Sequence, residues 1–311
     1  MSFAVIALSH SAIVAHRATV LLMVISVFLE VADAQAVDDF SAKAALFQYD
    51  RNASLAMKEV SSQKRGDITV RDITFKGAPG SADVKAYLVV PQGSGPFAGV
   101  LWAHWLGEEK SNRAQFLDEA VALAGKGVVS LLVDAMWATP QWFENRKLEE
   151  DFDNSIIQVV HLRRAMDLLF AQKGVDTARI GFVGHDYGGM YGMLAAGVDK
   201  RAKTYVFIAV TQSLSDWAFF ANQPKSKAEY IRQNAPLEFT DYLRQVKSAS
   251  TLFQFGKSDF FVSGADASIL FAAANQPKLR KQYDTGHKMV LKEIMTDRLD
   301  WLEKELSLKK E

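Results

Sequence analysis

Hydrophobic and polar positions follow two different rhythms along this chain. In 68–76 (Ile-Thr-Val-Arg-Asp-Ile-Thr-Phe-Lys) and 83–90 (Asp-Val-Lys-Ala-Tyr-Leu-Val-Val) the residues are β-rich, and Gly77-Ala78-Pro79-Gly80 lies between the two stretches. Two such stretches joined by turn residues predict an N-terminal antiparallel hairpin. Further along, the apolar runs become short and almost continuous, at 99–103, 128–133, 180–183, 205–210 and 251–255. Strands without polar alternation are buried on both faces. With helix-length segments between most of them, they predict a mostly parallel, doubly wound α/β sheet.

The helical segments have recognisable periods. Over 111–126, Phe116, Ala120, Leu123 and Ala124 fall on one stripe that stops at Gly127, which predicts a crossover helix. Over 153–172, Ile157, Val160, Leu162, Ala165, Leu168 and Leu169 do the same, and a closing helix is expected over 288–306. Between 212 and 250 the alternation of strand and helix is interrupted by a segment with Trp217, Phe219, Phe220, Tyr230 and Tyr242. An insertion at that point of a doubly wound sheet is expected to be a short lid over the carboxyl ends of the strands, where ligands bind.

At the amino terminus, His16 and Arg17 precede the apolar run 18–29, and Ala34-Gln35-Ala36 follows it. That order predicts a signal peptide over 1–36, and hence a secreted or periplasmic protein. The run is too short for the roughly 20 residues of a membrane span, so no anchor is expected after removal. The remainder, 37–311, reads as one domain without repeats or low-complexity stretches. Lysine plus arginine equals aspartate plus glutamate, 36 each, so nothing steers the protein towards nucleic acid, and a small neutral or weakly polar substrate is expected. The absence of cysteine excludes disulfides, a catalytic thiolate and thiolate metal sites. The composition leaves oligomeric state open.

The strongest chemical signal is Arg179-Ile-Gly-Phe-Val-Gly-His-Asp-Tyr-Gly-Gly-Met190, an apolar strand ending in G-x-D-x-G and running into an apolar helix. Small residues at Gly184 and Gly188 permit a strained turn that lifts the middle side chain, Asp186, above the sheet. Downstream, Leu252-Phe-Gln-Phe-Gly-Lys-Ser-Asp259 sets an acid just past a buried strand, and Tyr283-Asp-Thr-Gly-His287 sets a histidine in a loop after β-like 280–283. The order nucleophile, acid, histidine makes Asp186, Asp259 and His287 a candidate catalytic triad. Asp216, Asp266 and Asp284 remain alternative orienting acids.

These motifs resemble those of the α/β-hydrolase superfamily, and their overall spacing is similar to the dienelactone-hydrolase-like branch. The resemblance implies an oxyanion site made by the N–H of Tyr187 and one from His104-Trp105-Leu106-Gly107, with Trp105 and Leu106 both candidates. That branch carries cysteine at the nucleophile position, which this chain lacks. His185-Asp186-Tyr187-Gly188-Gly189 also resembles the turn of epoxide hydrolases and haloalkane dehalogenases, which implies Asp186 as a covalent nucleophile. A carboxylate attacking an sp³ carbon gives an ordinary ester, whereas attack on an ester carbonyl gives an anhydride. His287 with Asp259 would then activate water to cleave that ester. In this resemblance Tyr230 and Tyr242 are candidate ring-opening acids, and Trp105 and Trp217 candidate halide donors; for each, packing competes with that role.

Three functions follow: attack by Asp186 on an sp³ carbon, a dienelactone-hydrolase-like esterase or lactonase, and a non-catalytic binding protein. His104, His161, His185 and His287 lie far apart in sequence, and no dinucleotide or Walker motif is present. Neither a metal nor a cofactor is therefore expected. His161, among Val159, Val160 and Leu162, reads as structural.

Overall fold

A computed structural model describes residues 40–107, 110–219 and 223–308. The expected signal peptide, 1–36, lies outside the described residues. The chain divides into a leading unit, 1–46, with a helical segment at 40–45, and a main unit, Phe47–Glu311. The main unit contains the sheet and the site.

Among the described residues the sheet has nine strands in the order β1-β2-β3-β5-β4-β6-β7-β8-β9. They are β1 (Lys58–Arg65), β2 (Ile68–Phe75), β3 (Val84–Pro91), β4 (Phe97–Ala103), β5 (Val128–Val133), β6 (Val175–His185), β7 (Thr204–Ile208), β8 (Ser250–Gly256) and β9 (Lys278–Tyr283). From β5 through β4, β6, β7 and β8 to β9 every pairing is parallel. β2 pairs antiparallel with β3, and β3 with β5. β4, β5, β7 and β8 are buried at every position, which is why their sequences show no polar alternation. β1, Lys-Glu-Val-Ser-Ser-Gln-Lys-Arg, was not expected. All its positions are exposed, so no hydrophobic pattern marks it, and its charges suit an edge.

Helices cover both faces. Leu117–Ala124 and Lys292–Glu305 pack on one; Asp151–Phe170, Tyr187–Val198, Phe239–Leu243 and Gly264–Ala273 pack on the other. The helix expected over 111–126 spans only Leu117–Ala124. Tertiary contacts hold 111–116 out of it: the N–H of Arg113 donates to Asp134 Oδ1, and its guanidinium reaches Asp134 and Asp72. Among the described residues of segment 212–250 lie three short α-helices, Leu214–Ala218, Lys227–Asn234 and Phe239–Leu243. The third does not lie over the strand ends. It packs on Tyr187–Val198, where a Cβ on Gly197 would sit 2.6 Å from Tyr242 Cβ. Tyr242 is fully buried there and donates its hydroxyl to Pro236 O, so it is not placed as a ring-opening acid.

Candidate active site

β6 runs straight into the helix Tyr187–Val198, and Asp186 makes the bend with φ 53° and ψ −121°. This backbone costs a non-glycine residue about 1–3 kcal/mol. Main-chain bonds hold it: the N–H of Asp186 donates to Ile208 O, and its C=O accepts from the N–H of Met190, both at 2.8 Å. Gly188 is required by proximity, since a Cβ there would lie 2.3 Å from Ala103 O. The bend aims the carboxyl group at the positive end of a 12-residue helix.

The Asp186 carboxylate is fully buried. Its Oδ2 accepts the N–H of Leu106 at 3.0 Å, and the adjacent N–H of Tyr187 also favours the charged form. The N–H of Trp105 is committed to Gln115 Oε1 at 2.7 Å. Of the two candidates in that loop, Leu106 is therefore the donor. Asp186 Oδ1 has no hydrogen-bond partner and lies 3.7 Å from His287 Nε2, which likewise has none. On the other side of the ring, His287 Nδ1 donates to Asp259 Oδ2 at 2.9 Å, and Asp259 Oδ1 accepts the N–H groups of Phe261 and Val262. Asp259 is thus the acid that meets the imidazole. Asp266 closes a capping box with Ser263, Asp284 is exposed beside Lys257, and Asp216 lies in the first turn of Leu214–Ala218.

Burial pushes the Asp186 carboxyl above the ordinary carboxylate range, against the pull of His287 and the two N–H groups. Burial alone would lower His287, but Asp186 and Asp259 outweigh it and raise its pKa to about 9. The two groups hold each other's charge across the 3.7 Å gap: His287 lowers Asp186 against its burial, and Asp186 raises His287. His104, lowered to about 4 by burial, stays neutral; it donates from Nδ1 to Trp105 O and accepts the N–H of Ala135 at Nε2. It shapes the donor loop. His161 accepts the N–H of Ala78 and is likewise lowered to about 4 by burial. No group of three or more potential ligands is placed to hold a metal ion among the described residues.

A cavity of about 660 Å³ adjoins these groups, lined by Leu106, His287, Phe261 and the tryptophans Trp105, Trp137, Trp142 and Trp217. Because Asp186 Oδ1 is shielded, side chains between it and the cavity must shift before a ligand touches it. Trp217 stacks on Phe261 at 4.7 Å and lies 5.5 Å from the His287 ring. The ring of Tyr187 is buried among Trp137, Trp142 and Trp217, so this residue gives its N–H to the site and its side chain to packing. Tyr230, expected at the substrate, is elsewhere. Its hydroxyl donates to Asp151 Oδ2 at 2.8 Å, its ring packs with Leu148, Ala218 and Phe219, and it does not line the cavity.

Asp151 also pairs with Arg146, whose guanidinium donates to Phe143 O and Ala218 O. One buried cation therefore joins the segment bearing Trp142 to the helix bearing Trp217. Sequence reasoning missed Trp137, Trp142, Phe261, Arg146 and Gln115. None belongs to a motif or to an amphipathic stripe.

No family model matches this chain, and no curated protein matches its sequence. Solved structures do. An acetyl xylan esterase from Paenibacillus sp. R4 is 18% identical with a TM-score of 0.70, covering 85% of this chain and 92% of that one. Acetyl xylan esterase 1 from Thermoanaerobacterium sp. JW/SL YS485 is 17% identical with a TM-score of 0.68, covering 87% and 93%. An S-formylglutathione hydrolase from Agrobacterium tumefaciens is 16% identical with a TM-score of 0.62, covering 80% and 99%. Together with the strand order, these similarities define an α/β-hydrolase fold.

Proposed function

We propose that this protein is a hydrolase in which Asp186 attacks an sp³ carbon and the resulting ester is cleaved by water that His287 activates. The observation carrying this reading is the division of labour between the two carboxylate oxygens. Oδ2 rests on the N–H of Leu106, and Oδ1 is left without a partner on the side of the imidazole. Oδ1 forms the bond to carbon, and the leaving group departs with the electron pair. Esterification removes one of the two carboxylates that keep His287 charged, so the imidazole releases its proton to solvent and becomes a base. Water then attacks the Asp186 carbonyl carbon and gives a proton to Nε2. The charge formed on Oδ2 meets a donor already in place. Collapse expels the alkoxide, which takes the proton of the newly added hydroxyl and leaves as an alcohol; Asp186 is again a carboxylate and His287 keeps its proton, restoring the ion pair.

Tyrosine is absent from the residues lining the cavity, Tyr230 and Tyr242 being bonded elsewhere. A leaving group that departs without a proton, such as halide, therefore suits the cavity better than an epoxide oxygen. Trp105 and Trp217 are the candidate halide donors. The second reading is ester hydrolysis, favoured by the esterases among the similar structures. It requires the carboxylate to leave the N–H of Leu106, which a substrate carbonyl would need.

The test incubates a His287→Gln variant with a haloalkane and reads intact mass. An alkyl adduct mapped to Asp186, and ¹⁸O entering Asp186 during turnover of the wild type in labelled water, are expected. Hydrolysis of an activated ester that Asp186→Asn abolishes, without any adduct, would replace this reading with the second; retained ligand with no turnover would leave a binding protein. We also assign the mature chain, from Val37, to the periplasm or exterior on the strength of the leader pattern. Amino-terminal sequencing of exported protein tests that assignment.

A further inference from the structure

The residue before Asp186 belongs to no step of this chemistry, yet it is fully enclosed and its polar atoms are all used. His185 is 1% exposed, and its ring stacks on Trp105 at 5.2 Å and 8°. Its Nδ1 lies 2.7 Å from Gln115 Nε2 and its Nε2 lies 3.0 Å from His287 O. The proton positions follow from the two ends of this chain. The N–H of Trp105 needs an acceptor, which fixes Gln115 Oε1 on it and turns Nε2 towards His185. A main-chain carbonyl can only accept, so His185 carries its proton on Nε2 and accepts at Nδ1. Every donor in the series meets an acceptor, in one direction, from the Trp105 N–H to the His287 C=O.

We propose that His185 and Gln115 are positioning residues: their hydrogen-bond chain ties the loop that supplies the Leu106 donor to the loop that carries His287, and holds the imidazole off Asp186 Oδ1. The separation of 3.7 Å between His287 Nε2 and Oδ1 is too long for a hydrogen bond, although opposite charges attract across it. Something must resist closure: Asp259 holds the far side of the ring through Nδ1, and the tether from His185 fixes the main chain that carries it. Were the two atoms to bond, Oδ1 would lose the lone pair that attacks carbon; this consequence rests on the covalent reading, while the tether itself does not. Burial, reinforced by the charges on His287 and Arg298, lowers the His185 pKa well below its ordinary value. The ring therefore stays neutral, and the direction of the chain does not reverse with pH.

Histidine ¹H–¹⁵N spectra and single-turnover alkylation test this together. In the wild type, His185 is expected as the neutral Nε2–H tautomer from about pH 5 to 9. His185→Leu breaks the chain in the motif, and Gln115→Leu breaks it outside, so one informative variant remains if the other fails to fold. In both, the His287 Nε2 signal should move towards that of a hydrogen-bonded imidazolium, and alkylation of Asp186 should slow about tenfold with KM little changed. His185→Gln, which can accept and donate at the same two places, should recover most of the rate. Folded Leu variants with wild-type His287 signals, or a wild-type His185 protonated on Nδ1, would overturn the proposal. If the wild type forms no adduct, the covalent reading fails, and the spectra still decide whether the tether exists.

Discussion

The loops at the strand ends and the cavity wall facing them are held by different kinds of contact. Asp186, Leu106 and Asp259 are fixed chiefly by main-chain groups: the bonds to Ile208 and Met190, the donated N–H of Leu106, and the N–H groups of Phe261 and Val262. The wall, with Trp142 and Trp217, is gathered by side chains distant in sequence, above all Arg146, Asp151 and Tyr230. Bonds between main-chain groups, such as those of Asp186 to Ile208 and Met190, tolerate exchange of the side chain that they present. A buried side-chain network does not. Changes on the strand ends should therefore alter chemistry with little loss of stability, and changes in the wall should do the reverse.

The largest test of that contrast is Asp186→Asn. We expect turnover to fall at least about 10⁴-fold, more than about 5 kcal/mol of barrier. Its melting temperature should hold or rise, because a carboxylate whose pKa burial has raised is replaced by a neutral amide. A variant that lost stability in step with activity would break the comparison. Next is Arg146→Ala, which leaves Asp151 buried without its cation. Chemical denaturation should show a loss of about 3–5 kcal/mol, and any turnover that survives should show a raised KM with little change in kcat.

A smaller effect sharpens the view of the strand ends. The His287 pKa is raised from 6.5 to about 9 in the folded protein. Its contribution is then fully present below about pH 6.5 and is lost as pH rises through 9, a drop of about 1–3 kcal/mol. Denaturation midpoints across that window should fall for the wild type and stay level for His287→Gln. Smallest is Tyr230→Phe, which removes one hydrogen bond to Asp151 and should cost about 1–2 kcal/mol with kcat unchanged. A large loss of kcat there would return Tyr230 to the reacting groups.

Much of the strand-end region was legible because it is written locally. Gly184, Asp186 and Gly188 form a five-residue turn whose geometry follows from sterics, and Asp259 and His287 each follow a strand that its own composition reveals. The wall was not legible. Tyr230 and Trp217 are both aromatic residues in the same insertion, and only long-range packing turns one towards Asp151 and the other towards His287.

By itself, then, the sequence determined the parallel sheet and the bend at Asp186, because burial on two faces and the space around a glycine act over a few neighbouring residues. Tertiary structure alone decided that Leu106 and not Trp105 donates, that Asp259 meets His287, that 111–116 leaves its helix, and that Gln115 and His185 bridge two loops. Those outcomes depend on which groups, far apart in the chain, arrive within 3.0 Å of each other. Hydrogen bonds of that length discriminate between neighbours that composition treats alike.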